Sequence, residues 1–366
     1  MSEPKLPFKK WVYPVAAVGL ILFLLNILFY GDFGDVVSVI GTANLAFYAL
    51  AFCCVLGSIL SQALAWKSML RNMALETKFR RVFNLCLVGN FVDALVPGGW
   101  AGDIFKAYLL SKDQEGSGAK AAASIVLKNV IELLVTLAAL VSGIVLLALN
   151  YTLEGGIMIV LGGVMFLMAL PLAVIVYLSV NINATTKVMA WLSRVSARIR
   201  GKPAETSGIS GKLQGQLQEF HDGIMMIKSS SKSLLRPVLF QVLAWVFDIL
   251  TLFAIFTSLG YMVGLDKLVI TNTLVVGLQT QGMALVGFAQ IVSSTVYTVL
   301  GISPILAMAS SLLAGFASFW FKAGVSFFAF QRTVFAHRGS VLTPTAVGVA
   351  GEGLMEAEMP NLGPAG

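Results

Sequence analysis

Two charged side chains stand three residues apart in an otherwise apolar setting: Asp103 and Lys106 follow directly on Pro97-Gly98-Gly99-Trp100-Ala101-Gly102. A helix that starts after such a turn exposes unpaired amides and a positive dipole end, and a lysine one turn in adds a full charge. That combination can hold an anionic group such as phosphate. Asp103 can equally cap the helix start, with Lys106 reaching back to the membrane surface. Lys128 and Glu132 lie one helical turn apart in the next apolar segment, where they either neutralise each other or extend a polar path beside the first site. Asp248 and Lys322 stand alone in two further apolar segments and can pair across a bundle. Gln279, Gln281 and Gln290 are uncharged and can contact a lipid head group or hydrogen-bond neighbouring helices.

These residues do not compose a known enzyme centre. No Walker loop, nucleophile elbow or dinucleotide fingerprint occurs. With two histidines and three cysteines (Cys53, Cys54 and Cys86), no metal-ligand spacing is present. The expectation is a protein without catalysis, cofactor or metal.

The elements that must position these groups are membrane helices. Of the 366 residues, 57% are hydrophobic and 12% charged, and the mean hydropathy is +0.86. Soluble domains carry roughly twice that share of charge. The net charge of +7 does not mark a nucleic-acid binder, because the basic residues are spread between apolar runs. About six transmembrane helices are expected, at 11–30, 43–66, 121–149, 155–180, 234–262 and 304–330. The first has a basic flank like a signal peptide, but its length and the lack of a cleavage site make it a retained span.

Two apolar stretches are too short to cross singly. Residues 82–110 are broken at Pro97-Gly98-Gly99, and residues 268–300 are broken at 282–287. Both read as re-entrant helical hairpins, tolerated at membrane depth only inside protein or against a wet cavity. Residues 181–233 carry apolar positions at helical spacing opposite basic ones, as in helices lying on a membrane surface. The tail 332–366 reads as disordered. Of the 25 Lys and Arg residues, only Lys267 falls outside under this arrangement, so both termini are placed in the cytoplasm and the chain in the cell membrane.

The fold class expected is therefore all-α integral membrane, in two halves, 1–149 and 150–331. Each runs span, span, hairpin, long span, with opposite starting sides. That is the hydropathy pattern of an inverted repeat, in which broken elements meet near mid-membrane.

The segment LVPGGWAGDIFKAYLL (Leu95–Leu110), followed by AAASIVLKNVIELL (Ala121–Leu134), resembles the membrane region shared by lysylphosphatidylglycerol synthetase/flippases and stand-alone flippase-like proteins. Trp66 with Leu70, and Gly301 with Ile305–Leu313 and Trp320, resemble further elements of that family. The resemblance spans 11–331. Where the family often has Glu-Arg, this chain has Lys128-Asn129, with the acidic position matched by Glu132. Where its second turn ends in glutamate, this chain has Gln290.

The resemblance implies a flippase-like protein that moves or presents an anionic or glycan-linked lipid, including polyprenyl-linked ones. The substrate-binding set it suggests is Pro97, Gly98, Gly99, Gly102, Asp103, Lys106, Tyr108, Lys128, Glu132 and Gln290. Alternatives left open are a non-catalytic membrane partner of a separate lipid-linked transferase and a transporter of a small soluble anion. Some relatives carry a soluble aminoacyl-transferase domain, which is not expected here.

Overall fold

A computed structural model of the chain describes residues 33–95, 101–113, 117–150, 231–279 and 287–336, with scattered positions between 163 and 187. The expected span at 11–30, most of the span at 155–180 and of the amphipathic region 181–233, the turn residues Pro97, Gly98 and Gly99, Gln281 with most of the second break at 282–287, and most of the tail lie outside these residues.

The described residues are all-helical. In chain order they are α1 (Phe33–Gly41), α2 (Leu45–Asn72), α3 (Phe79–Leu95), α4 (Ala101–Asp113), α5 (Gly118–Asn150), α6 (Ser231–Ser258), α7 (Leu265–Leu278), α8 (Phe288–Val299) and α9 (Pro304–Gly315). A π-helical segment, Phe316–Phe321, joins α9 to α10 (Lys322–Ala336) without a break. Four helices among them are long and apolar enough to cross a membrane: α2, α5, α6 and the continuous α9–π–α10. The link expected between the first two spans contains a helix, α1, whose Val36 packs on Met308 and Ala309 of α9. The last helix also runs on to Ala336, so 332–336 belong to it and not to a disordered tail.

Local chemistry sets the ends. Asn44 caps α2, its side-chain oxygen accepting from the Ala46 amide at 2.9 Å, while its own amide donates to the Ser258 carbonyl at the end of α6. α6 and α8 both terminate at a glycine in the left-handed region, Gly260 (φ 73°) and Gly301 (φ 82°). That conformation lets Tyr261 and Ile302 donate back to the carbonyls of Phe256 and Tyr297 at 3.0 Å.

α2 packs along α6, and Gly57 makes the approach close: a Cβ there would lie 2.8 Å from the Phe247 ring. α3 and α4 lie antiparallel. At one end Gly102 meets Gly89 and Asp93; at the other the Arg81 guanidinium donates to both carboxylate oxygens of Asp113, at 2.6 and 2.8 Å. At 17 and 13 residues, these helices are about 25 and 20 Å long, short of a ~30 Å hydrocarbon core.

The main core joins Ile59, Trp66 and Leu70 of α2 to Val82, Leu85 and Val88 of α3, Leu109 and Leu110 of α4, and Ile255 of α6. A second core sets Phe256 of α6 edge-on to Tyr297 of α8, with ring centroids 4.9 Å apart. Large apolar side chains such as Leu60, Leu134, Leu239 and Phe328 face outward. A membrane protein has no reason to bury these, since lipid is as apolar as its core.

Candidate functional site

Trp66 fixes the floor of the site. It is 1% exposed, and its indole N–H donates to Ser124 Oγ of α5 at 3.0 Å. The Lys106 ammonium lies over this ring, 5.8 Å from its centroid, and the Lys106 stem runs across Gly89 of α3. A Cβ on Gly89 would come within 2.8 Å of that stem, so the glycine is the space the lysine occupies.

Lys106 is 6% exposed and Asp103 8%. They form an ion pair along one face of α4. Asp103 also accepts from Asn129 Nδ2 of α5 at 2.7 Å, and Asn129 Oδ1 in turn accepts from the Lys128 ammonium at 3.3 Å. Lys128 pairs with Glu132 at 2.7 Å. A continuous chain of charge therefore runs Lys106–Asp103–Asn129–Lys128–Glu132. Its Glu132 end is the more open, with 27% of that side chain exposed.

The carboxylate that caps α4 is Asp93, not Asp103. Asp93 Oδ1 accepts from the Gly102 amide at 2.7 Å, across nine residues of sequence. Gly102 is a glycine because a Cβ would collide with the Gly89 carbonyl and with Asp93 itself. Neither does Lys106 snorkel outward: it is held inside by Asp103 and Trp66.

The chain continues beyond α5. Lys322, the first residue after the π segment, interacts electrostatically with Asp248, Glu132, Asp93 and Lys128. Asp248 of α6 lies near Ser58 of α2 and interacts electrostatically with Lys322 and Glu132. The expected Asp248–Lys322 pair is thus a neighbour relation, not a contact. Among the described residues, ion pairs within 4 Å join Arg81–Asp113, Lys106–Asp103 and Lys128–Glu132. The rise per residue puts Lys128 about 15 Å from the start of α5 and Asp248 about 15 Å from the end of α6, inside the two long apolar helices. A π segment shifts the face a helix presents, and this one directs the register at which Lys322 enters the bundle.

Of the residues singled out in the sequence, Gly102, Asp103, Lys106, Lys128 and Glu132 come together. Pro97, Gly98 and Gly99 lie outside the described residues. Tyr108 does not join them. It is five residues from Asp103, about 140° round the helix, and its ring meets Phe105 and the Lys112 ammonium. Gln290 of α8 lies against Gly315 of α9, and its Oε1 is buried without a hydrogen-bond partner among the described residues. Asp93 and Asn129 were missed as site residues. Asp93 is nearly as apolar in its surroundings as Asp103, and only the antiparallel fold brings it to Gly102.

No group of three metal-ligating side chains occurs among the described residues. The arrangement offers ammonium groups to an anion and carboxylates to a cationic head group, while the start of α4 is taken by Asp93.

A family model described as the lysylphosphatidylglycerol synthase TM region matches residues 11–325. A UPF0104 membrane protein of Pyrococcus horikoshii is 22% identical over 326 residues, covering 85% of this chain and 93% of that protein. Another from Methanocaldococcus jannaschii is 26% identical over 309 residues, covering 81% and 88%. A third, from Methanothermobacter thermautotrophicus, is 24% identical over 263 residues, covering 70% and 76%.

Proposed function

Since this chain belongs to the lysylphosphatidylglycerol synthase TM region family, we propose that it is a flippase-like protein that translocates or presents an anionic or glycan-linked lipid within the membrane. The observation that carries this reading is the polar run Lys106–Asp103–Asn129–Lys128–Glu132, buried at Lys106 and Asp103 and half-buried beyond them. An ionic group in a span costs about 2.5–3.5 kcal/mol on insertion scales. A bundle that keeps such a run among its apolar helices gains a polar route along which a head group exchanges one partner for the next. The lipid tails stay in the apolar surroundings.

The inverted repeat belongs to the same proposal. Exchange α2 with α6, α3 with α7, α4 with α8, and α5 with α9–π–α10. The contact α3·α10 then becomes α7·α5, α4·α5 becomes α8·α9, and α2·α3 becomes α6·α7. Likewise α2·α5 becomes α6·α9, and α2·α6 maps on itself; all of these contacts are present. The third residue of α4, Asp103, meets Asn129, and the third residue of α8, Gln290, meets Gly315. In this reading α3–α4 and α7–α8 are re-entrant hairpins entering from opposite faces of a cell membrane, one charged and one neutral. The protein acts without a cofactor and catalyses no covalent step.

Mass spectrometry of lipids that copurify with the detergent-extracted protein tests this directly. Enrichment of one anionic or polyprenyl-linked lipid, lost in Lys106→Ala, is expected. Bulk lipid in both samples would transfer weight to a partner of a separate transferase or to a carrier of a soluble anion.

A further inference from the structure

The last span divides its attachments. Its first half, α9, is tied to α8 and α1: Gln290 of α8 lies against Gly315, and Val36 of α1 packs on Met308 and Ala309. Its second half, α10, is tied to α3 and α4. Thr333 Oγ1 accepts from Asn84 Nδ2 of α3 at 2.8 Å, and the Phe330 ring centroid stands 4.9 Å from that of Phe91 in α3 and 6.4 Å from that of Phe105 in α4. The α3–α4 pair is itself pinned at both ends, by Gly102 on Asp93 and by Arg81 on Asp113, so it moves as one piece. Between α9 and α10 lies the π-helical turn Phe316–Phe321. Its Phe316, Ser318 and Trp320 face outward, and Ala317 is its buried residue. α2 braces this turn. The Tyr48 hydroxyl donates to the Leu313 carbonyl at 3.1 Å just ahead of it, competing with the helical ladder there, and the Phe52 ring lies 6.4 and 4.5 Å from the rings of Phe316 and Phe321.

We propose that the π turn is a joint on which α10, together with the α3–α4 pair, shifts against α9 and α8, and that lipid movement uses this shift. The inference rests on the lipid reading above and gives it a moving part. Two bodies that share one continuous helix move past each other only if that helix yields. An α-helix resists, because each turn is closed by its own hydrogen bonds. A π turn carries surplus chain, and taking up one full residue of it would turn α10 by about 100° and advance it by about 1.5 Å, so a smaller shift uses part of that reserve. The outward face of the turn meets lipid, so the shift displaces no packed neighbour there. Asp103 and Lys106 ride on α4, while Asn129 and Lys128 stay on α5. The shift therefore acts on the hydrogen bond between Asp103 and Asn129 and opens the polar run at that point. This is a hinge of the kind by which one half of a transporter rocks against the other.

The test deletes the surplus. Removing Ser318, an outward-facing residue, lets the segment close as an α turn with α9 and α10 kept in their present registers. Spin labels at Phe328→Cys on α10 and Val299→Cys on α8, two exposed positions, in a full chain without its native cysteines, report the distance between the two bodies by double electron–electron resonance in lipid nanodiscs. The chain with its π turn is expected to show two distances, and the chain lacking Ser318 one of them. One distance in both chains, or two in both, would overturn the joint. In vesicles carrying fluorescent phosphatidylglycerol, the deletion should bring lipid movement down to the protein-free level, whereas Ser318→Ala, which keeps the chain length, should move lipid as the wild type does. Thermal unfolding separates a lost joint from a lost fold, and the deletion is expected to melt at or above the wild-type temperature. A deletion that moves lipid at the wild-type rate would overturn the joint. So would one that melts well below the wild type, since the extra residue would then serve packing. If the wild type moves no lipid, the lipid reading fails, and the two distances alone decide whether the turn is a joint.

Discussion

The amide of Gly102 donates to Asp93 Oδ1 at 2.7 Å, and the Gly89 carbonyl closes on the same glycine from the other side. This joint places α4 on α3, and everything Asp103 and Lys106 do depends on it. Gly102→Ala is expected to push the two helices apart and to destabilise the protein by about 1–3 kcal/mol, the usual penalty for overpacking. Thermal unfolding in detergent measures it. A melting temperature equal to wild type would mean that the two helices are not pressed together here.

The Asp103–Lys106 pair is buried on both sides, so losing one partner is worse than losing both. Asp103→Leu alone leaves Lys106 as an uncompensated charge over Trp66 and is expected to lower stability by about 3–5 kcal/mol. Adding Lys106→Met should recover most of that loss while lipid binding stays abolished. Equal instability of the single and double variants would show that the pair has no mutual role.

Gly57 and Phe247 set the distance between α2 and α6. Gly57→Val should weaken this contact by about 1–3 kcal/mol, and Phe247→Ala in the same chain should relieve part of the penalty by opening space for it. Thermal unfolding of the two singles and the double closes the cycle. Strict additivity would place the two residues out of contact.

The proposed topology puts the loop end of α4 in the cytoplasm and the α6–α7 link outside. Lys112→Cys and Met262→Cys, two exposed positions, in a chain without its native cysteines, should label from opposite sides with an impermeant maleimide. Same-side labelling would refute the inverted repeat.

Much of this arrangement was legible in the residues. Runs of apolar side chains gave α2, α5, α6 and the last helix within a few positions, and the Asp103/Lys106 spacing marked the site. Lys128 and Glu132, at helical spacing, pair as that spacing allows. What was not legible depends on contacts between distant segments. Asp93 reads as one more acid in an apolar stretch until the antiparallel packing of α3 and α4 carries it to Gly102. Asn129 reads only as a departure from a family motif, yet its amide bridges Asp103 and Lys128. α1 was hidden because nine residues with one acid resemble a loop until Val36 finds Met308. The π segment has no sequence mark; in the fold two of its rings, Phe316 and Phe321, pack on Phe52 of α2.

Lipid movement by the protein alone is the central claim, and a dithionite assay measures it. The full chain is reconstituted into vesicles carrying phosphatidylglycerol with a fluorescent nitrobenzoxadiazole label, and impermeant dithionite quenches whatever label reaches the outer leaflet. Quenching well beyond the outer-leaflet half in wild-type vesicles, returning to the protein-free level with Lys106→Ala, is the predicted result. Quenching that stops at the protein-free level with the wild-type protein, across phosphatidylglycerol and polyprenyl-phosphate probes alike, would contradict it.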